Sequence, residues 1–399
     1  MKKSLTLICI VALCNTFTFS QSGWIFQTTG ITNDFHSSYF TSNGNGCIVG
    51  SNGTILKTTN GGNLWTTQMM SGNIADDFYS VYFISANMGY AVGLGGLMYQ
   101  TTNGGTHWDP LTSGTTQSLS AVYFTHVDTG YTAGTNGSIF KTTDGGYTWT
   151  AKTSGSTKQL NSIFFTNAKT AYIVGLGGTI LKTTNAGNTW TAKTSGTTKD
   201  LWSVYFTDIN TGYVVGFQGT ILKTTDGGNT WTPKPTGFAY DYYTSVYFTS
   251  SSTGYVIGWD GKILKTTNGG SNWTTQASGV TTYLSSVFFT DANTGYIVGS
   301  DGTILKTTNG GVGIEENTAK NQISVWPNPA KDIFTLNIND GNYSEMTISI
   351  YNLFGKLVGS ELLMQNNQEI NFGELSNGTY IIVIKTNEWI ETQKLIIQR

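Results

Sequence analysis

The chain has 399 residues, a formal net charge of -2, 50 glycines, 13% aromatic and 11% charged residues. Charges this few and this balanced exclude the basic footprint of a nucleic-acid-binding protein, and the glycine and aromatic content describes turn-rich β structure. Three cysteines, two of them in the first fourteen residues, leave Cys47 alone in the body of the chain and exclude a disulfide framework.

Residues 1–20 have the layout of a secretory signal peptide: Lys2 and Lys3 precede an apolar run from Leu5 to Leu13, and Thr18 and Ser20 supply small residues before Gln21. The run is too short to span a bilayer. Lipidation at Cys14 is the alternative, but Leu13 stands where a small residue is wanted. Removing Lys2 and Lys3 takes 21 basic residues to 19 against 23 acidic ones, a net charge of -4.

Residues 21–311 are repetitive. Trp65, Trp108, Trp149, Trp190, Trp231 and Trp273 recur at intervals of 41 to 43 residues, the period of propeller blades or of a solenoid. Each unit carries four strand-like runs, such as WSVYFT, TGYVVG, GTILKTT and NTWTPK from Trp202 onward, so one unit predicts one four-stranded blade. Asp-Gly, Asn-Gly and Gly-Gly pairs between runs supply the positive φ of tight turns. The adjacent apolar pair Ile221-Leu222 predicts a strand covered on both faces.

First-strand motifs begin at Ser38, Val81, Val122, Ile163, Val204, Val246 and Val287, which makes seven units, yet the seventh ends at Gly311 without its tryptophan. Trp24 lies 41 residues before Trp65, so residues 24–29 are expected to complete blade seven and close a ring that has no open end. An open solenoid is the alternative. Residues 312–320 form a polar linker, and residues 321–399 hold the runs ISVWP, IFTLNI, MTISIYN, KLVGSELL, TYIIVIK and TQKLIIQ. The expected fold is therefore all-β: a seven-bladed β-propeller closed by an N-terminal strand, followed by a small Ig-like β-sandwich.

Thr142 to Trp149 and Thr224 to Trp231 match the Asp-box pattern Ser/Thr-x-Asp-x-Gly-x-Thr-Trp and resemble the blades of sialidases and other exported propellers. The resemblance implies that Asp144 and Asp226 hold turns. Asn60, Asn103, Asn185, Asn268 and Asn309 agree, since an amide can hold a turn but cannot replace a catalytic carboxylate. The order YFT, TGY.VG, G.ILKTT.GG..W is similar to the photosystem II assembly and stability factor family, which implies a seven-bladed propeller. That family's binding surface is Arg-rich, whereas Arg399 is the one arginine here, so the fold carries over and the partner does not. The same lack removes the arginine clamp that a sialidase needs.

In the tail, Val325-Trp326-Pro327-Asn328-Pro329-Ala330, Ile350 to Val358, Leu375 to Ile384 and Gln393 to Ile397 resemble the C-terminal sorting domain of type IX secretion cargo of Bacteroidota. The resemblance implies an outer-membrane translocon as partner of residues 321–399, and passage through the periplasm to the cell surface or medium.

No metal, cofactor or catalytic set is expected. His36, His107 and His126 are isolated, no calcium or phosphate loop occurs, and Cys47 sits in a strand-like CIVG run. Asp76, Asp77, Asp200, Asp241, Asp260 and Asp301 near loops leave a glycosidase or lyase as the competing class. Loops that vary between repeats carry Asp77, Phe78, Trp202, Phe217, Tyr240 to Tyr243, Trp259, Asp260 and Tyr283. From these, Trp202, Phe217, Tyr242, Tyr243, Trp259, Asp260 and Tyr283 are expected to bind an extracellular glycan or protein, with Trp202 and Trp259 foremost. The chain is expected to act as a monomer.

Overall fold

The structure, a computed structural model, describes residues 21–72, 75–234, 241–314, 323–338, 346–352, 356–363, 367–371, 373, 375–385 and 390–399. The expected signal peptide, most of the linker and Tyr240 lie outside the described residues. Two compact units divide after Ile314.

The first unit is a seven-bladed propeller. Its inner strands are Phe35–Phe40, Phe78–Phe83, Leu119–Phe124, Leu160–Phe165, Leu201–Phe206, Tyr243–Phe248 and Leu284–Phe289, each opening a sheet of four antiparallel strands, to which Met69–Met70 adds a short parallel fifth in blade two. Blade five shows the pattern: Leu201–Phe206, Gly212–Gly216, Ile221–Thr224 and Thr232–Pro233 pair in that order. Gly212–Gly216 is buried along its whole length, and Ile221 and Leu222 are both buried. Neighbouring blades cover both faces of these strands, which is why the apolar and polar residues do not alternate.

Most second strands begin with glycine for a packing reason. A Cβ on Gly212 would lie 2.5 Å from the Phe206 ring, which stacks on Tyr172 of the preceding blade at 4.1 Å and 20°. Blade four carries Ala171 at this place, and its Phe165 tilts to 36° against Tyr131 at 4.5 Å. One methyl group thus turns the ring.

The Asp-box is a turn. The Thr142 hydroxyl donates to Asp144 Oδ1 at 2.7 Å, the Thr148 N–H donates to the same oxygen at 2.9 Å, and the Thr148 hydroxyl donates to Oδ2 at 2.6 Å. These bonds, the Thr148 hydroxyl first, hold the Asp144 carboxyl down at about 2. Asn185 builds the same turn in blade four, accepting the Thr189 N–H at 3.0 Å and donating to the Thr189 hydroxyl at 2.8 Å. The turn is also tied to the preceding blade. The Tyr172 hydroxyl and Lys182 Nζ both donate to the Gly227 carbonyl at 2.6 Å. In blade one Cys47 replaces that tyrosine, and Lys57 donates instead to the Thr106 hydroxyl at 2.8 Å.

The ring is closed by chain that does not follow the blade it completes. Gln21–Phe26 pairs antiparallel with Ile304–Ile314, the third strand of blade seven. Trp24, 2% exposed, packs edge-on against Phe289 at 5.8 Å and Tyr255 at 6.2 Å, as Trp273 packs against Phe248 at 6.1 Å one blade earlier. The strand starts at Gln21 and ends at Phe26, a different span from 24–29, and its partner runs past Gly311 to Ile314. With no covalent turn at this place the two strands are free to pair further, and Gly23 lets them approach, since a Cβ there would lie 2.5 Å from the Gly311 backbone. Blades one and seven then join directly: the Ser285 hydroxyl donates to the Phe35 carbonyl at 2.6 Å.

The second unit has a three-stranded sheet (Ile323–Trp326, Ile333–Ile338, Asn367–Asn371) and a four-stranded sheet (Leu357–Leu363, Met346–Asn352, Gly378–Lys385, Ile390–Ile397). Phe334 and Leu336 from one sheet and Ile348, Ile350, Ile382, Ile384 and Leu395 from the other share a single buried core. Asn367–Asn371 was not foreseen, because Ile370 is its one apolar residue and the strand offers no alternating pattern.

Candidate functional site

The seven inner strands align residue for residue, and each position has its own task. The first is wholly buried: Phe35, Phe78, Leu119, Leu160, Leu201, Tyr243 and Leu284 are all 0% exposed. The third is serine in every blade except at Ala121. In six places around the axis the hydroxyl of that serine accepts the N–H of the next blade's fourth residue, from Val81 N–H on Ser37 at 3.3 Å to Ser38 N–H on Ser286 at 3.3 Å. The fifth position forms a closed aromatic belt of Tyr39, Tyr82, Tyr123, Phe164, Tyr205, Tyr247 and Phe288, with neighbouring centroids 4.8 to 6.2 Å apart. Burial raises Tyr39 to about 12.

The second position is the variable one. Between the first and third residues every inner strand slips in register against its neighbour. The residue between is the extra one of a bulge, left out of the ladder and re-aimed. Its seven side chains, His36, Tyr79, Ser120, Asn161, Trp202, Thr244 and Ser285, all line one cavity of about 350 Å³. Ser118, Thr135, Gln159 and Tyr283 complete its wall. An invariant scaffold thus presents seven largely different side chains to the mouth of the channel.

Three of them are also part of the frame: Asn161 Nδ2 donates to the Leu201 carbonyl at 2.8 Å, the Thr244 hydroxyl to the Leu284 carbonyl at 2.6 Å, and Ser285 to Phe35 as above. His36 shares a hydrogen bond of 3.0 Å with the Ser51 hydroxyl and lies 5.7 Å from the Tyr79 ring. Burial lowers its pKa against the opposing pull of Asp77 and Asp34, so the imidazole is neutral at pH 7. Trp202 is 36% exposed, and no stacking partner faces its ring among the described residues.

The expected binding residues separate into groups. Trp202 and Tyr283 line the cavity. Tyr283 meets Trp259 edge-on at 6.1 Å, Trp259 stacks on Tyr242 at 4.5 Å, and Tyr242 meets Phe217 at 4.2 Å, so four of them form one aromatic ladder on the rim of blades five to seven. Trp259 is 49% exposed. Tyr243 is a correction: as a first-position residue it has no exposed surface and cannot touch a ligand, and Phe78 is buried for the same reason. Asp260 sits in a turn at φ 53° with its side chain in solvent. His36, Tyr79, Ser120, Asn161, Thr244, Ser285 and Gln159 were missed. Stacking the seven inner strands in register would have exposed them, because the second column varies between two nearly constant ones.

The acids of the rim act as clamps. Asp34, Asp77 and Asp200 each accept an N–H from the turn of the preceding blade, from Asp301 at 3.0 Å, Asn52 at 3.0 Å and Gly177 at 2.8 Å. Tyr242 and Tyr283 stand at the same place in blades six and seven and pack on the preceding turn through Phe217 and Trp259 instead. Asp241 pairs with Lys262 at 3.3 Å. No group of three His, Cys, Asp or Glu converges on a metal-sized site among the described residues.

Fold and site together define an Asp-box propeller with a ligand-sized mouth, joined to a sorting tail. The family described as photosynthesis system II assembly factor YCF48 matches residues 17–115, 104–198 and 189–278, more than half of the chain, and the chain belongs to that family. Residues 324–398 match the secretion system C-terminal sorting domain, which makes the chain type IX secretion cargo, secreted or at the cell surface. Among solved structures, YCF48 bound to D1 peptide superposes with a TM-score of 0.64 at 18% identity, over 74% of this chain and 99% of that one. YCF48 from Cyanidioschyzon merolae gives 0.61 at 17%, over 71% and 98%. PorZ, an essential surface component of the type-IX secretion system of Porphyromonas gingivalis, gives 0.55 at 14%, over 94% and 60%. At these identities the likeness speaks for the fold. A search of the curated proteins found no match.

Proposed function

We propose that the chain is a non-catalytic binding or adhesion propeller, which enters the periplasm by residues 1–20 and leaves the cell when the outer-membrane translocon engages residues 321–399. The observation that carries the binding role is the ring of second-position side chains, bulged out of seven otherwise repeated strands into one cavity. A scaffold needed only for stability has no use for Trp202 at a position where the other blades carry serine, threonine, asparagine, histidine or tyrosine. One relative is described as bound to a peptide, which supports ligand binding by this kind of propeller. The glycosidase alternative would draw on acids such as Asp77 and Asp200, and both are held in turn-clamping hydrogen bonds. Binding of the full chain to envelope polysaccharide and protein fractions, compared with Trp202→Ala and Trp259→Ala, tests the site. Retention is expected for the wild type and loss for Trp202→Ala; full retention by both variants would remove the mouth as the binding site.

A further inference from the structure

Resting on the mouth as a binding site, we infer that its ligand is a neutral oligosaccharide whose end enters the cavity and whose following sugars lie along the aromatic ladder toward Trp259. The lining offers what an uncharged sugar needs. Trp202 presents an unstacked indole face for the C–H face of a pyranose, with Tyr79 and Tyr283 as further rings on the wall. Hydroxyl partners are supplied by uncharged groups. Gln159 Nε2 donates to Asn161 Oδ1 at 3.0 Å and Asn161 Nδ2 donates onward to the Leu201 carbonyl, which orients both amides in the wall. Ser120 stands in the same wall.

Charge and shape argue against the other classes. The cavity wall carries neither a basic nor an acidic side chain apart from neutral His36, and on its rim Asp34, Asp77 and Asp200 stand beside lysines that are already engaged, Lys199 on the Gln218 carbonyl and Lys262 on Asp241; an acidic sugar would find no cation in the wall to pair with. An extended peptide that adds to a sheet edge needs free backbone groups, but the inner strands are paired on one side and spend N–H groups in the serine belt on the other. The volume of about 350 Å³ lies near the lower end of the range for small-molecule sites, about 300 to 1,000 Å³, which suits a chain end.

The test uses the full chain and calorimetry, with Trp fluorescence as a second readout. The probes are neutral hexasaccharides of glucose, mannose and galactose, an oligogalacturonate of equal length, and a pool of unstructured peptides. At least one neutral hexasaccharide is expected to bind and the oligogalacturonate not to. Trp202→Ala should weaken binding by about tenfold or more, the loss of one stacking contact with its area, and Trp202→Phe should recover most of it. Affinity should change by less than about twofold as salt rises across the range in which the Debye length shrinks from about 10 to 3 Å. Peptide binding that Trp202→Ala abolishes, with no saccharide bound, would overturn the sugar while leaving the mouth as the site. Saccharide binding indifferent to Trp202→Ala, or no binding by any probe, would overturn the inference itself.

Discussion

Replacing Trp24 by alanine should loosen the ring at the one blade that the chain does not complete by itself. Trp24 is 2% exposed, meets Phe289 and Tyr255 edge-on, and shares a core with Leu305 and Ile297. Removing a buried tryptophan side chain costs about 3 to 5 kcal/mol. With about 2.1 cal/mol/K of unfolding entropy per residue over roughly 290 residues, the entropy is about 0.6 kcal/mol/K, and the melting temperature should fall by about 5 to 8 °C. Trp273→Ala is the control, since Trp273 is 8% exposed and packs alike against Phe248 but is tethered by its own turn. Calorimetry gives the shift, and amide exchange locates it: Trp24→Ala should speed exchange along Ile304–Ile314, and Trp273→Ala along Ile263–Thr266, the partner of its own outer strand. Deleting residues 21–30 should exceed both. A deletion that melts with the wild type would mean that Gln21–Phe26 does not close the propeller.

Three further outcomes follow from the same structure. Asp144 and Asp226 are both held below the usual carboxyl range by hydrogen bonds made in the fold, so their contribution to stability is complete above the ordinary value of 3.8 and is lost as the pH falls toward about 2. The double variant Asp144→Asn, Asp226→Asn should unfold like the wild type at pH 7, because Asn185 and Asn268 hold the same turn, and should lose stability less steeply between those pH values; an unchanged acid limb would place the sensitivity elsewhere. Cys47→Tyr should raise the melting temperature by filling the gap beside Phe83 and Gly104, where other blades stack a tyrosine, a gain of about 1 kcal/mol, whereas a loss would show that blade one has repacked around the cysteine. Residues 313–399 fused to a fluorescent protein behind a periplasmic signal should be exported by a type IX host, and periplasmic retention would count against the tail as sufficient.

Much of the scaffold was legible because each repeat states its local physics again. Gly-Gly and Asn-Gly pairs mark turns that need positive φ, and Gly212 and its counterparts make room for an inner-strand ring. The absent tryptophan after Gly311 and the surplus Trp24 could be matched by counting alone. The site was legible only in part. Trp202, Trp259 and Tyr283 stood out as aromatics in variable loops, but Tyr242 and Tyr243 are adjacent in sequence and differ in fate, since Tyr243 is the first residue of the ladder, paired with Gly258 and buried, and Tyr242 lies just before the strand. Asp77 and Asp200 stand near loops in the sequence, as turn or surface residues would, and only the fold brings the turn of the preceding blade beside each.

The repeat period, the strand order within a blade, the turn role of the Asp-box and the sorting tail are all local or periodic in the chain, and the sequence alone determined them. The mouth of the channel is neither. His36 and Ser285 lie some 250 residues apart and become neighbours only when the ring closes through Ser285 and Phe35. Each second-position side chain faces the axis only because its strand slips register by one residue. Ring closure and that slip are set by packing between blades, so the tertiary structure decided where a ligand can bind.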